Sequence, residues 1–187
     1  AWQVTALEVD ERQHAKNLLN PQSGLSFVQD GAQAIPYAPA SFDLALMLKS
    51  LHHVPLDLLD VALIEVHRVL RPEGLLYVSE PVFAGPLNEV IRLFNDEALV
   101  RAEAVKAVAR AVASGAWDDV AEQHFGMPVH YRDFADFEQR QIGVTYADRR
   151  LDVATLQAVR ERFEPHMTPD GARFVRPMRV NLLRKRV

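Results

Sequence analysis

The chain has 187 residues, of which 49% are hydrophobic and 25% are charged, and its formal net charge is −4. This composition suits a single folded domain with a filled core, and the acidic balance argues against nucleic acid as a partner because phosphate-binding surfaces are basic. The sequence contains no cysteine, which excludes disulfides, thiolate metal sites and cysteine nucleophiles, and no apolar run reaches the roughly 18 residues that span a bilayer, so we expect a cytoplasmic protein without a membrane partner.

Strand and helix signals alternate through the first part of the chain. A β-branched and apolar strand is predicted at Gln3–Glu8, a helix at Glu11–Leu19 and a short strand at Leu25–Gln29. Phe42–Leu48 is a nearly continuous apolar run, which is typical of a central parallel strand that is covered on both faces.

A helix at Leu56–Leu70 and a buried strand at Leu75–Ser79 come next, separated by the sequence Arg-Pro-Glu-Gly, which ends a helix. Strands that alternate with helices predict a parallel α/β sheet. Residues 87–125 are rich in alanine, and we predict helices without a strand there. We expect them to form a helical cap insertion, at about residues 86–128, within a single domain that spans residues 1–187.

The last part of the chain is predicted to return to the sheet. Glu138–Tyr146 has the pattern of a strand, Asp152–Phe163 that of a helix, and Phe174–Leu183 that of a final strand. Pro177 lies inside this final strand, and it favours an edge position because proline cannot donate a hydrogen bond to a neighbouring strand.

Four segments, taken in chain order, resemble the class I S-adenosylmethionine-dependent methyltransferases, in particular the group called type 11. They are VTALEVDERQHAKN, FVQDGAQAIPYAPASFDLALMLKSLHHV, HRVLRPEGLLYVSEP and the last pair of predicted strands. The resemblance implies a Rossmann-like sheet that is mostly parallel, with an antiparallel last strand and helices on both faces. It also implies S-adenosylmethionine as the cofactor and a small molecule as the substrate.

The family begins with a strand and a glycine-rich turn that this sequence lacks. In the family fold that strand lies between the strands predicted here at Gln3–Glu8 and Phe42–Leu48, so both would keep unpaired backbone groups, which is costly. We therefore expect the natural protein to have some tens of residues before Ala1. Otherwise the sheet must close up, recruit a strand from a partner, or be unstable.

The ends of three predicted strands carry the candidate cofactor-binding residues, because ligands of open α/β sheets bind beyond the carboxyl ends of the strands. The resemblance implies that the Glu8 carboxylate accepts hydrogen bonds from the ribose hydroxyls, although it could simply be a solvated acid. Asp30 would accept from the adenine amino group and the Gly31 amide would meet a ring nitrogen, although aspartate is also common where a turn starts. The backbone carbonyls of Leu48 and Lys49 would face the methionine end.

Two adjacent histidines follow these strands. If the stretch is extended, the side chains of His52 and His53 point in opposite directions, so we expect no shared metal ion. His53 is the tentative catalytic residue, as a general base, because imidazole titrates near neutral pH. A packed, hydrogen-bonded histidine is the alternative for either residue. Glu80 follows the Leu75–Ser79 strand, where the substrate pocket of the family often begins, and could face either ligand.

The leading hypothesis is an enzyme that transfers a methyl group from S-adenosylmethionine to an unidentified small-molecule acceptor, mainly by positioning the two reactants. The alternative is a non-catalytic methyltransferase-like binding or scaffold module, for which a homodimer stays open. A nicotinamide dehydrogenase would also alternate strands and helices, but the LHHV and RPEGLLYVSEP segments disfavour it. Fold alone does not decide between these functions.

Overall fold

The computed structural model describes residues 2–144 and 149–187 of the chain. The strands are β1 (Val4–Leu7), β2 (Leu25–Val28), β3 (Phe42–Leu48), β4 (Leu70–Pro81), β5 (Trp117–Tyr131), β6 (Met167–Thr168) and β7 (Gly171–Lys185). The helices are α1 (Glu11–Leu18), α2 (Leu59–Val69), α3 (Pro86–Ile91), α4 (Ala98–Ala113), α5 (Phe134–Gln141) and α6 (Val153–Phe163). Short 3₁₀ turns lie at Leu51–His53, Leu56–Leu58 and Glu164–His166. Strands flanked by helices confirm the predicted α/β class.

The strands form two separate sheets. β1 and β2 make a parallel pair in which Leu7 lies opposite Val28. The second sheet has the order β3-β4-β7-β5, with β6 beside β7. β3 is parallel to β4, whereas β7 is antiparallel to β4, β5 and β6. The last strand is antiparallel as expected, but the expectation of a mostly parallel sheet is wrong for this larger sheet. β1 and β3, the strands that the sequence placed on either side of the missing strand, therefore do not pair with each other in the described part of the chain.

β3 is consequently an edge strand, and the prediction of a central strand covered on both faces is wrong for this structure. Leu44, Leu46 and Leu48 are 40%, 55% and 55% exposed. Alternate residues of a strand point to the same face, so these three leucines form one exposed apolar row. Met47 on the opposite face is buried and belongs to the core under α2.

The core has two parts. The larger cluster joins α2 and α4 to β3 and β4 and includes Leu63, Val66 and Leu76. The smaller cluster lies where α5 and α6 meet β5 and β7, and it is mostly aromatic. Its aromatic members are Tyr131, Phe134, Phe137, Phe163 and Phe174. None of the helices in the described ranges has the length and apolarity needed to cross a membrane.

The helical prediction past residue 116 is wrong. Helix α4 ends at Ala113, and β5 then pairs with β7 from Trp117 opposite Lys185 to Tyr131 opposite Ala172. Strand propensity depends on the cross-strand neighbours, which in this case lie about 40 to 70 positions further along the chain. The helical insertion expected at residues 86–128 therefore consists of α3 and α4 alone.

The strand predicted at Glu138–Tyr146 is also wrong for its described residues. Helix α5 covers Glu138 and extends to Gln141, and Asp133 caps it by accepting the amide of Asp136 at 2.8 Å. Phe134 and Phe137, three positions apart on one helix face, are both buried in the aromatic cluster. Thr145 and Tyr146 lie outside the described residues.

Pro177 lies in β7, between β4 and β5, so the edge position expected from the sequence is wrong as well. Pairing with β4 ends where Pro81 lies opposite Met178. The carbonyl oxygen of Pro177 accepts the amide of Val82 at 2.9 Å, so it points towards the β4 side of the strand. In an extended strand the nitrogen and the carbonyl oxygen of one residue point to the same side, so the proline nitrogen also points to the β4 side, beyond the paired part of β4. The missing N–H therefore removes no hydrogen bond from the β5–β7 ladder.

Candidate functional site

The predicted ligand residues follow the carboxyl ends of strands β1, β2 and β3. Glu8 comes directly after β1, and its amide donates to Val28 at 3.0 Å, which fixes it beside β2. Its Oε1 accepts the amide of Asp10 at 2.9 Å. Its Oε2 makes no hydrogen bond within the described residues, so this half-buried oxygen can accept from a ligand. Asp10 instead caps helix α1.

Asp30 and Gly31 lie at the end of β2 and already bind each other. The Gly31 amide donates to Asp30 Oδ1 at 2.8 Å. This is the amide that the resemblance assigns to an adenine ring nitrogen, so a nucleobase must displace the aspartate side chain from it. Gly31 is buried, and a Cβ there would lie 2.4 Å from the side-chain amide of Gln33. Any larger residue would therefore require Gln33 to move.

Lys49 follows β3 in a conformation that non-glycine residues rarely adopt. Its φ is +57°, in the left-handed region, and its amide donates to the Ser79 carbonyl at 2.7 Å. Leu48 and Lys49 are both exposed. Strained backbone of this kind is costly, and Ala40 and Glu73 share it. The sequence carries no signal for this conformation.

A buried carboxylate holds the turn that follows Lys49. Glu80, near the end of β4, accepts the amide of Leu51 on Oε1 at 2.9 Å and contacts His52 Nδ1 through Oε2. His52 and Glu80 are 4% and 8% exposed. Both oxygens of Glu80 thus bind the protein, so Glu80 supports the turn and does not face a ligand as the sequence suggested.

A second carboxylate reaches His52 from the start of α4. Glu97 Oε2 lies 3.9 Å from His52 Nε2 and binds Nε and Nη2 of Arg101 at 3.0 and 2.5 Å. Asn95 Nδ2 donates to Glu97 Oε1 at 2.7 Å. Burial raises the pKa of Glu97, but the charge and hydrogen bonds of Arg101 outweigh it, and His52 adds to them. The pKa of Glu97 is therefore lower than usual.

His53 lies beside His52. A shared metal ion was excluded on the condition that this stretch is extended, and that condition does not hold. The stretch is a 3₁₀ turn rather than extended, and the two ring centroids are 4.0 Å apart. The His53 side chain reaches solvent on one side. Partial burial on the other side, followed by the charge of His52, lowers the pKa of His53 and favours the neutral imidazole. The potential ligand atoms of His52, His53 and Glu97 lie within 4.8 Å of one another.

Sequence reasoning missed Glu97 and Arg101. Their spacing of four residues on a helix could have predicted the ion pair between them. The approach of Glu97 to His52 could not be predicted, because these two residues are 45 positions apart in the chain.

Comparison with known proteins agrees with the fold. Residues 1–78 match the family described as methyltransferase domain. The Bacillus subtilis protein YcgJ has 14% identity and a TM-score of 0.65, with 99% of this chain and 83% of that chain aligned. A Methanosarcina mazei S-adenosylmethionine-dependent methyltransferase has 13% identity and a TM-score of 0.57, with 99% and 82% aligned. A comparison with curated proteins gave no match.

The [4+2]-cyclase SpnF is a third structural neighbour, with 20% identity, a TM-score of 0.60, and 100% of this chain and 67% of that chain aligned. At these identities the solved structures establish the fold alone. The fold is that of the class I S-adenosylmethionine-dependent methyltransferases. The match of residues 1–78 to the methyltransferase domain family agrees with the resemblance stated from the sequence.

Proposed function

We propose that the chain transfers a methyl group from S-adenosylmethionine to a small-molecule acceptor. The observation that carries this proposal is the family match over residues 1–78, because that segment contains Glu8, Asp30 and the turn at His52. The structural neighbours support the fold but not the reaction.

The hydrogen-bonding groups at the ends of β1 and β2 fit the adenosine part of the cofactor. Glu8 offers Oε2 as a hydrogen-bond acceptor, which suits ribose hydroxyls. Asp30 offers a second carboxylate on the neighbouring strand, and glycine at position 31 lets the backbone come close to a flat base. S-adenosylmethionine supplies the electrophilic methyl group when it is bound. The protein residues orient the two reactants and exclude water.

His53 is the residue that we propose as proton acceptor. It lies on the turn that follows Lys49, and it is the histidine of the pair that reaches solvent. A base is needed only if the acceptor keeps its proton at neutral pH, and a neutral imidazole can take that proton. We assign the backbone carbonyls of Leu48 and Lys49 to the methionine end of the cofactor. Helices α3 and α4 are the proposed cap.

The second candidate function is a non-catalytic binding or scaffold module. It is favoured by the open edge of β3, whose row of exposed leucines offers a surface for a second copy of the chain. The neighbour SpnF, a [4+2]-cyclase, shows in addition that this fold is not limited to methyl transfer. The two candidates differ in whether the cofactor binds at Glu8.

Isothermal titration with S-adenosylhomocysteine tests the proposed function. We expect the wild-type chain to bind this ligand with micromolar affinity. In Glu8→Ala the binding free energy should be less favourable by about 1.5–3 kcal/mol, which is the contribution of a charged hydrogen bond. Glu11→Ala removes an equal charge three residues away, at an exposed position of α1, and should leave the affinity unchanged. No heat of binding with the wild-type chain would exclude the catalytic proposal and favour the scaffold.

A further inference from the structure

We propose that His52, His53 and Glu97 bind a divalent transition-metal ion such as Zn²⁺. Two imidazoles and one carboxylate are a common ligand set for zinc. The three side chains come from the turn after β3 and from the residue before α4, and their ligand atoms lie within 4.8 Å of one another. This site goes beyond the proposed methyl transfer, which requires no metal ion.

The separation of His52 and Glu97 fits a bridging cation better than a direct contact. Nε2 and Oε2 are 3.9 Å apart, which is too long for a hydrogen bond. Two ligand atoms on a tetrahedral zinc ion, with bonds of about 2.1 Å each, lie about 3.4 Å apart. An ion between Nε2 and Oε2 therefore requires these two atoms to approach each other by about 0.5 Å. The three ligand atoms lie within 4.8 Å of one another, and the exposed His53 ring can move towards the other two.

Glu80 prepares His52 for this role. It engages Nδ1, which fixes the ring and leaves Nε2 directed at Glu97. Histidines that bind metals usually donate their second ring N–H to such a carboxylate, which fixes the tautomer and makes the ligand nitrogen more basic. Here that supporting carboxylate is buried and is held in place by the amide of Leu51.

The charge of the cluster also favours a cation. Glu80 and Glu97 contribute two carboxylates against the single guanidinium of Arg101 in a largely buried region. Arg101 binds the same Glu97 oxygen that faces His52, so the metal ion would share this carboxylate with the guanidinium. A carboxylate has about four lone-pair positions and can serve both.

His53 cannot bind a metal ion and accept a proton with the same nitrogen lone pair. The metal-bound chain would therefore lack the proposed base, and the cation would act as an inhibitor of any reaction that needs it. The two proposals are tested separately, because the titration with S-adenosylhomocysteine is run in EDTA.

The test is a calorimetric titration of Zn²⁺ into chain that has been treated with EDTA and then desalted. We expect one site, with an affinity that falls at least tenfold in His53→Ala and in Glu97→Gln. His124→Ala is the matched control, because His124 is an exposed histidine that pairs with Glu122 on β5, outside the cluster. It should bind Zn²⁺ as the wild type does. Thermal unfolding in EDTA should show that His53→Ala keeps the fold, since this side chain is exposed.

Cobalt provides the geometric readout. Co²⁺ in the wild-type chain should give the visible absorption of a tetrahedral ion, and His53→Ala should lose it. The proposal is overturned if wild-type chain takes up no Zn²⁺. It is also overturned if His53→Ala and His124→Ala bind with equal affinity, which would indicate an adventitious ion only.

Discussion

His52 Nδ1 and Glu80 Oε2 form a buried hydrogen bond that ties the turn after β3 to the end of β4. Glu80 also accepts the Leu51 amide, so one carboxylate fixes two groups of that turn. This turn positions His53, and its His52 side chain faces Glu97 at the start of α4. Together with the backbone hydrogen bond from Lys49 to Ser79, this buried side chain holds the site after β3 in place.

Replacing Glu80 by alanine should destabilise the protein strongly. It leaves the Leu51 amide and His52 without their acceptor, and each buried donor left unpaired costs about 1–3 kcal/mol. Urea unfolding measures the change. Glu89→Ala is the control, since Glu89 forms a half-exposed ion pair with Arg92 at 3.7 Å, and such pairs contribute about 0–1 kcal/mol. Equal midpoints for the two variants would show that the Glu80 contacts do not hold the turn.

The aromatic cluster should dominate the stability of the C-terminal part of the fold. Phe163 is fully buried and contacts the rings of Tyr131, Phe134, Phe137 and Phe174. Phe163→Ala should cost about 3–5 kcal/mol in the free energy of unfolding, because the cavity adds to the lost burial.

The matched variant for this measurement is Phe125→Ala, since Phe125 is 47% exposed on β5. It should change the free energy of unfolding by much less than Phe163→Ala does. A Phe163→Ala variant that unfolds at the wild-type denaturant concentration would contradict the packing described for α6.

His67 should make the protein less stable in mild acid. Partial burial, and then the charge of Lys185, lowers the pKa of His67 below its ordinary value of 6.5, although its hydrogen bond with the Ala116 carbonyl opposes this. The unfolded chain then binds a proton at higher pH than the folded chain does. Stability is complete above pH 6.5 and falls as the pH drops through the lower, folded-state pKa.

The comparison is with His67→Gln, which cannot titrate. Its free energy of unfolding should fall less than that of the wild type between about pH 7 and 5, a window above most carboxylate titrations. Parallel pH profiles for the two proteins would show that His67 titrates normally in the folded state.

The early elements could be predicted from the sequence because their signals are local. The early charges and late apolar residues of Glu11–Leu19, followed by Pro21, mark α1, and the apolar run at Phe42–Leu48 marks β3. β5 could not be predicted in the same way, since it forms by pairing with β7, whose residues follow it by about 40 to 70 positions. Helix α5 was missed because the burial of Phe134 and Phe137 in a tertiary cluster outweighs its weak local signal.

The site could be predicted only in part, for the same physical reason. Glu8 and Asp30 follow strand ends, and a strand end is visible in the sequence. The contacts of His52 with Glu80 and Glu97 join segments that are distant in the chain, so the sequence does not reveal them. The sequence also left open whether the histidine pair is extended, and it lies in a compact 3₁₀ turn.

The most direct test of the cofactor site is an amide NMR spectrum of the chain recorded with and without S-adenosylhomocysteine. The account predicts large shifts for the amides of Gly31 and Lys49, because a nucleobase must replace the bond from Gly31 to Asp30 and the methionine end must approach the end of β3. Amides near Arg184, which lies opposite Leu75 at the other end of the β4–β7 pairing from Pro81, should not change. Saturable shifts that leave Gly31 and Lys49 unchanged, or no shifts at all, would contradict the proposed site.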